Sequence, residues 1–262
     1  MNQKLVDALW KLQLDPGGTP NAEVIKQNIS AEEGQWIQLE ILERWLNDGK
    51  TLGGWKIGMT SGESRDALGP GVRPFGFLLK ERLLNNRAQI LRDQLYRGGV
   101  ENELCFFVGP SEGSDETAGG LPNIAGCAAG FEINQKRLPP GCPAGVRVGD
   151  NLSNWGVVAG HAVEAPKNLE DLSVTLFKTE PEGRGKELEI GRVKSNDHID
   201  DHFDSLRVLA ERLKAFGHRL QEGQWVITGA YEKHPFEVAH FRGHFDLEIG
   251  DVEVSLTSTQ QV

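Results

Sequence analysis

The chain has 262 residues, of which 38% are hydrophobic and 25% charged, enough for one large globular domain or a small lobe on a bigger one. A formal charge of −10 argues against a nucleic-acid backbone or an anionic membrane as a general partner, although a bound cation can still reverse the local sign for a small anionic substrate. No apolar run approaches the roughly 20 residues that span a bilayer, the N-terminus lacks a signal-peptide core, and Cys105, Cys127 and Cys142 form no CxxC pair, so free thiols in a reducing cytoplasm are expected.

Leu5, Ala8, Leu9 and Leu12 recur at helical spacing and predict a helix over 3–14, which "DPGGTP" at 15–20 ends. A second helix is expected from about Ser30 to Asn47. Ser30 and Glu33 stand at capping-box positions, and Trp36, Ile37, Leu39, Leu42, Trp45 and Leu46 form the apolar side. These helices make an N-terminal helical lobe over 1–50, leaving 51–262 as the main domain. From there the texture is that of short strands ending in glycine or turns: "GWKIGMT", "RLLNNRAQIL", "VENELCFFVG", "NWGVVAG", "LSVTLFKT", "QWVITGA", "HFDLEIG" and "DVEVSLTS". "NIAGCAAGFEI" reads as a small-residue helix running into a strand, and "HFRGHFD" at 240–246 as a surface turn. "DDHFDSLRVLAERLKAFG" is a strongly amphipathic helix stopped by Gly217. Strands outnumber long helices and the order is irregular. The expected fold is mixed α+β and β-rich, with curved mixed sheets in a roll or sandwich-like core, flanking helices and the N-terminal lobe, and not a doubly wound sheet.

"GGVENELCFFVG" puts Glu101 and Glu103 at the start of an otherwise apolar strand. Residues i and i+2 share a face, so the two carboxylates stand side by side. Three readings fit: an edge strand with a solvated face, an acid/base pair, or a hard-cation site. Glu132, between Phe131 and Ile133, is a third acid in an apolar setting; it favours metal beside the ExE pair, while on its own it reads as a partly exposed strand residue. Lys56, between Trp55 and Ile57 with glycines on both sides, is either a lysine snorkelling from an edge or a partly desolvated lysine beside an anion. Asp150, Asn151 and Ser153 pack into a turn before an apolar strand, as an ordinary Asx-type turn does.

Taken in order, the lysine of "GWKIGMTS", the ExE opening a strand, "FEI", "DNLSNWG" and "VITGA" resemble the hydratase/decarboxylase branch of the fumarylacetoacetate hydrolase superfamily, over roughly residues 30 to 256. The resemblance implies Mg²⁺ or Mn²⁺ held by Glu101, Glu103 and Glu132, with Lys56, Asp150 and Ser153 as catalytic groups. It implies a substrate end built from Thr60, Ser61, Arg73, Phe75, Gly76 and Thr228. The implied activity is hydration of a small 2-hydroxy-2,4-dienoate or 2-oxo-enoate acid by a homo-oligomer in the catabolism of aromatic or related compounds. Decarboxylation of a 2-oxo-enedioate, C–C bond hydrolysis and a non-catalytic partner subunit are the alternatives. Departures fall at the substrate end, in "GVRPFGFLL", "GRVKSNDHIDDHFDS" and "YEKHPF". Arg73 stands where an acid is common in the branch, and two roles are open to it: a surface arginine, or a bidentate clamp on a second substrate carboxylate. "HIDDH" at 198–202 has the i, i+4 histidines of a helical zinc site but lacks the glutamate of HExxH. There is no GxSxG, P-loop or GxGxxG unit.

Overall fold

The structure is a computed structural model that describes residues 2–110, 121–181, 185–196 and 198–258. Its helices are α1 (Gln3–Leu14), α2 (Ala22–Ile25), α3 (Ala31–Asn47), α4 (Ala144–Gly149) and α5 (His202–Ala215). Its strands are β1 (Leu52–Ile57), β2 (Phe75–Leu79), β3 (Leu83–Asn85), β4 (Ala88–Leu91), β5 (Gly98–Val108), β6 (Ile124–Gln135), β7 (Asn154–Ala159), β8 (Ser173–Thr179), β9 (Leu188–Lys194), β10 (Trp225–Pro235), β11 (Ala239–Phe245) and β12 (Gly250–Thr257). Among the described residues no helix is long and apolar enough to cross a membrane.

The strands form a seven-stranded sheet in the order β2-β1-β10-β5-β6-β7-β3 and a five-stranded sheet in the order β4-β12-β11-β8-β9. Both are mixed: β1 runs parallel to β10, β3 to β7 and β4 to β12, while the other pairs are antiparallel. The larger sheet curls on itself. Asn151, just ahead of β7, donates its amide to the Phe77 carbonyl at 2.9 Å and accepts the Phe77 N–H at 2.8 Å, tying the two ends of the sheet together.

Curling gives the sheet two different faces. One carries Trp55, Phe75, Phe77, Phe106 and Phe131, which join the helices and the second sheet in a continuous apolar core that also holds Leu5, Leu9, Ile37, Leu42, Leu209, Phe241 and Val254. The residues of 1–50 thus share their core with the sheets. The inner face has its own small apolar cluster of Leu78, Cys105, Ala128, Val157, Ala159 and Ile227. Period-2 alternation puts Lys56 on this inner face, paired in register with Ile227, and Glu103 beside Cys105.

The capping box of α3 forms as its sequence predicts: Ser30 Oγ accepts from Glu33 N–H at 3.1 Å and Glu33 accepts from Ser30 N–H at 2.8 Å. Four expectations need correction. "NIAGCAAGFEI" is strand from Ile124 onward, with no helix, because its small residues serve close backbone approach and not helix packing: a Cβ on Gly126 would stand 2.5 Å from the Val163 carbonyl oxygen. Residues 240–246 lie almost wholly in β11, a central strand paired with β12 on one side and β8 on the other. The strand expected in "HFDLEIG" stops at Phe245, where Leu247 and Glu248 take positive φ and turn the chain. Trp36 does not bury: it is 46% exposed and packs its ring on Phe216 at 4.7 Å. β9 was not foreseen; it is an edge strand with no buried residue, alternating apolar and charged side chains.

Candidate active site and metal centre

The antiparallel register of β5 and β6 sets Glu101 directly opposite Glu132, with Glu103 two residues along β5 on the same face. One oxygen from each carboxylate can be chosen so that all lie within 4.8 Å of one another. Glu103 and Glu132 are buried and Glu101 half-buried. Lys56 reaches into the group from β1, its Nζ 2.5 and 2.6 Å from the two Glu132 oxygens. Asn154 donates its amide to Glu132 Oε1 at 2.8 Å. Gly229 donates its N–H to Glu103 Oε2 at 2.9 Å. That N–H is turned toward the carboxylate by an irregularity of β10 between Ile227 and Ala230, the kind of bulge that re-aims groups beside functional sites. The φ of +134° at Gly229 suits glycine, and a Cβ there would stand 2.2 Å from Thr60 Oγ1.

The electrostatics are those of crowded like charges. Burial, and then the neighbouring Glu132 carboxylate, push Glu101 up to about 7. The same two causes hold Glu103 well above the usual carboxylate range. Burial lowers the Lys56 pKa, but Glu132 and Glu103 outweigh it and keep the ammonium's pKa above that of an ordinary lysine. The all-oxygen donor set is that of a hard cation such as Mg²⁺ or Mn²⁺. Oxygens sharing an octahedral Mg²⁺ lie about 3–4 Å apart, so the observed cluster needs only small side-chain adjustments to hold one. The carboxylates fit the cation the sequence implies.

The remaining candidate residues fall into three groups. Gly76 and Thr60 adjoin the cluster. A Cβ on Gly76 would meet Lys56 Cγ at 2.8 Å, and Thr60 donates its hydroxyl to the Thr228 carbonyl at 2.9 Å, next to Gly229. Ser61 is buried and bridges to Ile199. A second group faces elsewhere. The Phe75 ring lies in the main core against Trp55 and Phe216. Asp150 is fully buried, and its Oδ1 accepts from Arg137 Nε and Gln13 Nε2, both at 2.9 Å. Arg73 is taken up by Asp200 and Asp66, each at 2.6 Å. Ser153 ends a run of three left-handed residues, Asn151, Leu152 and Ser153, with φ of 55°, 48° and 66°, a backbone that non-glycine residues adopt only when held there.

A third group is a buried polar network behind Thr228. His202 Nδ1 pairs with Thr228 Oγ1 at 2.7 Å, its Nε2 with Tyr231 OH at 2.5 Å, and Tyr231 OH with Ser195 Oγ at 2.7 Å. His198 pairs instead with the Ala230 carbonyl and lies outside α5, so "HIDDH" is not a helical metal site. A pocket of about 230 Å³ opens beside this network, lined by Arg65, Ser195, Ile199, Asp200 and His202 among others, but by neither Lys56 nor the three glutamates. Sequence reasoning missed Asn154, Arg137 and Gly229, and weighed His202 only as half of a zinc pair. The Asn154 amide stands four residues after Asp150 in the same motif, and Gly229 is the glycine of "TGA"; both were visible as types but not as partners.

No family model matches the chain. Among characterised proteins it is 27% identical over 150 residues to a 2-hydroxypent-2,4-dienoate hydratase of Pseudomonas putida, a match covering 55% of the chain and 66% of that relative. The chain thus aligns with just under two thirds of that protein's length. It is 27% identical over 206 residues to 2-keto-4-pentenoate hydratase 1 of Dechloromonas aromatica strain RCB, covering 77% of the chain and 76% of the relative. Among solved structures, 4-oxalocrotonate decarboxylase from Pseudomonas putida G7 complexed with magnesium and adipate matches with a TM-score of 0.80 at 17% identity, over 97% of both chains. Fumarylpyruvate hydrolase from Pseudomonas aeruginosa with Mn²⁺ and pyruvate matches with a TM-score of 0.54 at 13% identity, over 78% of this chain and 89% of that one.

Proposed function

From a chain that falls, by fold and sequence relatives, in the hydratase/decarboxylase branch of the fumarylacetoacetate hydrolase superfamily, we propose a divalent-metal-dependent lyase that hydrates a small 2-hydroxy-2,4-dienoate or 2-oxo-enoate acid. One observation carries this reading: Glu101, Glu103 and Glu132 converge around Lys56 on a face floored by apolar residues. Mg²⁺ or Mn²⁺ is the fitting ion, and the proposed setting is a cytoplasmic homo-oligomer acting in the catabolism of aromatic or related compounds.

Glu101, Glu103 and Glu132 would hold the ion. When bound, it supplies Lewis-acid stabilisation of the negative charge that develops on the substrate's 2-oxo oxygen. The chain's own groups do the rest. Asn154 and Lys56 fix Glu132, and the Gly229 N–H fixes Glu103, so the carboxylates are aimed before substrate arrives. Lys56, held as the ammonium beside Glu132, would pair with the substrate's negative charge or pass its proton to the reacting carbon. Leu78, Cys105, Val157 and Ile227 beneath the cluster keep bulk water off the sheet side and strengthen each charge interaction. Ser153, held at the end of its strained turn, would orient the attacking water, and Asp150 would act by fixing that turn through Arg137.

Decarboxylation of a 2-oxo-enedioate is the second reading. It is favoured by the full-length likeness to a decarboxylase seen with the dicarboxylate adipate. Both reactions need the same electron sink, so one cluster serves either. The intact carboxylate set disfavours a non-catalytic partner subunit. The test is a panel of 2-hydroxy-dienoates and 2-oxo-enedioates with Mg²⁺, following loss of dienol absorbance, CO₂ release and product mass. Water addition without CO₂ supports the hydratase, CO₂ release supports the decarboxylase, and no Mg²⁺-dependent turnover of any member overturns the reading.

A further inference from the structure

β10 breaks its register against β5 twice. The first break aims Gly229 at Glu103. The second lies between Ala230 and Lys233: Ala230 pairs with Glu103 and Lys233 with Glu101, so three steps along β10 match two along β5. In a regular strand Glu232 would take the place opposite Glu101 and add a fourth carboxylate to the cluster. The extra residue puts Lys233 there instead. Glu232 turns away toward the second sheet, where its Oε2 would stand 2.2 Å from a Cβ on Gly191. Lys233 is exposed, and no carboxylate in the described residues pairs with its Nζ. Lys136, just past the end of β6, is likewise exposed. Arg73, the other cation expected at the substrate end, is bound to Asp66 and Asp200.

We propose that Lys233, placed on the carboxylate face by the second break of β10, binds the distal carboxylate of a dicarboxylate substrate and selects it over the monocarboxylate. This deepens the metal-centred reading above and rests on it. Neighbouring strands lie about 5 Å apart, and the ends of a six-carbon acid lie roughly 6 Å apart. An acid whose 2-oxo end sits on the glutamate cluster is therefore long enough to bring its far end to the strand that carries Lys233.

The test uses two stable analogues, 2-oxoadipate and 2-oxohexanoate, which share the 2-oxo-acid end and differ in the distal carboxylate. Their binding to the Mg²⁺-loaded full chain is measured by calorimetry for wild type, Lys233→Met and Lys233→Arg. Wild type should prefer 2-oxoadipate by about fivefold to tenfold, and the preference should shrink as salt rises. Lys233→Met should lose the preference with 2-oxohexanoate binding unchanged, and Lys233→Arg should keep most of it. An equal loss for both analogues in Lys233→Met, or an undiminished preference, overturns the proposal. So does Mg²⁺-dependent binding of both analogues by wild type with no preference, which leaves the metal-centred reading standing. If neither analogue binds in a Mg²⁺-dependent way, the metal-centred reading falls and this inference falls with it.

Discussion

Gly76 lies directly against Lys56: a Cβ on Gly76 would stand 2.8 Å from Lys56 Cγ and 2.9 Å from Asn151 Oδ1. Sequence resemblance puts Gly76 at the substrate end, and the contact gives it a narrower task, leaving room for the lysine stem. Gly76→Ala should move Lys56 off Glu132 and cut kcat/KM at least about tenfold, the cost of one lost charged interaction. Its melting temperature should fall by only a few degrees. An active Gly76→Ala enzyme would show that the lysine stem accommodates the methyl group.

The carboxylate cluster should be a source of instability until a cation fills it. Burial and Glu132 raise Glu103 well above its ordinary pKa, so its charge costs folding free energy in the metal-free protein. Metal-free Glu103→Gln should therefore melt above metal-free wild type. Saturating Mg²⁺ should reverse the order. At a hundredfold excess over Kd the ion adds about 2.7 kcal/mol to wild type, a rise of roughly 5–10 °C for a chain of this size. The variant should hardly respond. Identical Mg²⁺ shifts in both proteins would remove Glu103 from the metal site.

How much of this was legible beforehand follows from the range of each interaction. The α3 cap depends on residues three apart, Ser30 and Glu33, and was readable. So was the shared face of Glu101 and Glu103, which strand periodicity fixes. That Glu132 faces them depends on the β5–β6 register, which local sequence does not encode; it came from resemblance. The Arg137–Asp150 pair, the Gln13–Asp150 bond and the His202–Tyr231 bond join residues far apart in sequence or on different elements, and nothing local announces them. "NIAGCAAGFEI" misled because its alanines favour helix, whereas here Gly126 and Gly130 admit neighbouring carbonyl oxygens. Arg73 misled differently: its charge was noticed, but Asp66 and Asp200, which take it up, were not seen to converge on it.

Asp150 gives a sharper test of which residues act on substrate. Both it and Arg137 are buried, and Arg137 also donates to the Asp150 and Asn154 carbonyls at 2.9 and 3.1 Å. Arg137→Met strands the Asp150 carboxylate and should cost about 3–5 kcal/mol of stability. Asp150→Asn should also destabilise, because Arg137 is then the stranded charge. If Asp150 serves by fixing the turn, the folded fraction of Asp150→Asn should retain KM and lose kcat only modestly. A loss beyond about a hundredfold in kcat, in a protein that is still folded, would make Asp150 a catalytic residue.

The last prediction concerns pH. His202 is buried, and burial lowers its pKa to about 4. Its ring nitrogens are engaged by Thr228 Oγ1 and Tyr231 OH. A neutral imidazole offers one donor and one acceptor to this pair, whereas the imidazolium has two donors and would force both hydroxyls to accept. In the unfolded chain His202 titrates near 6.5. Between pH 6.5 and 4 the unfolded state therefore binds a proton that the folded state does not, and stability falls as pH falls. Above 6.5 the contribution is intact; below 4 it is gone, a loss of about 3 kcal/mol in all. Other groups titrate in the same range, including the glutamate cluster, whose raised pKa values act in the opposite direction. The comparison must therefore be with His202→Gln, which keeps a donor and an acceptor but does not titrate. The melting-temperature gap between wild type and His202→Gln should be constant above pH 7 and shift against wild type by roughly 5–10 °C between pH 6.5 and 4. A gap that stays constant across that range would mean that His202 takes up its proton in the folded protein as readily as in the unfolded chain.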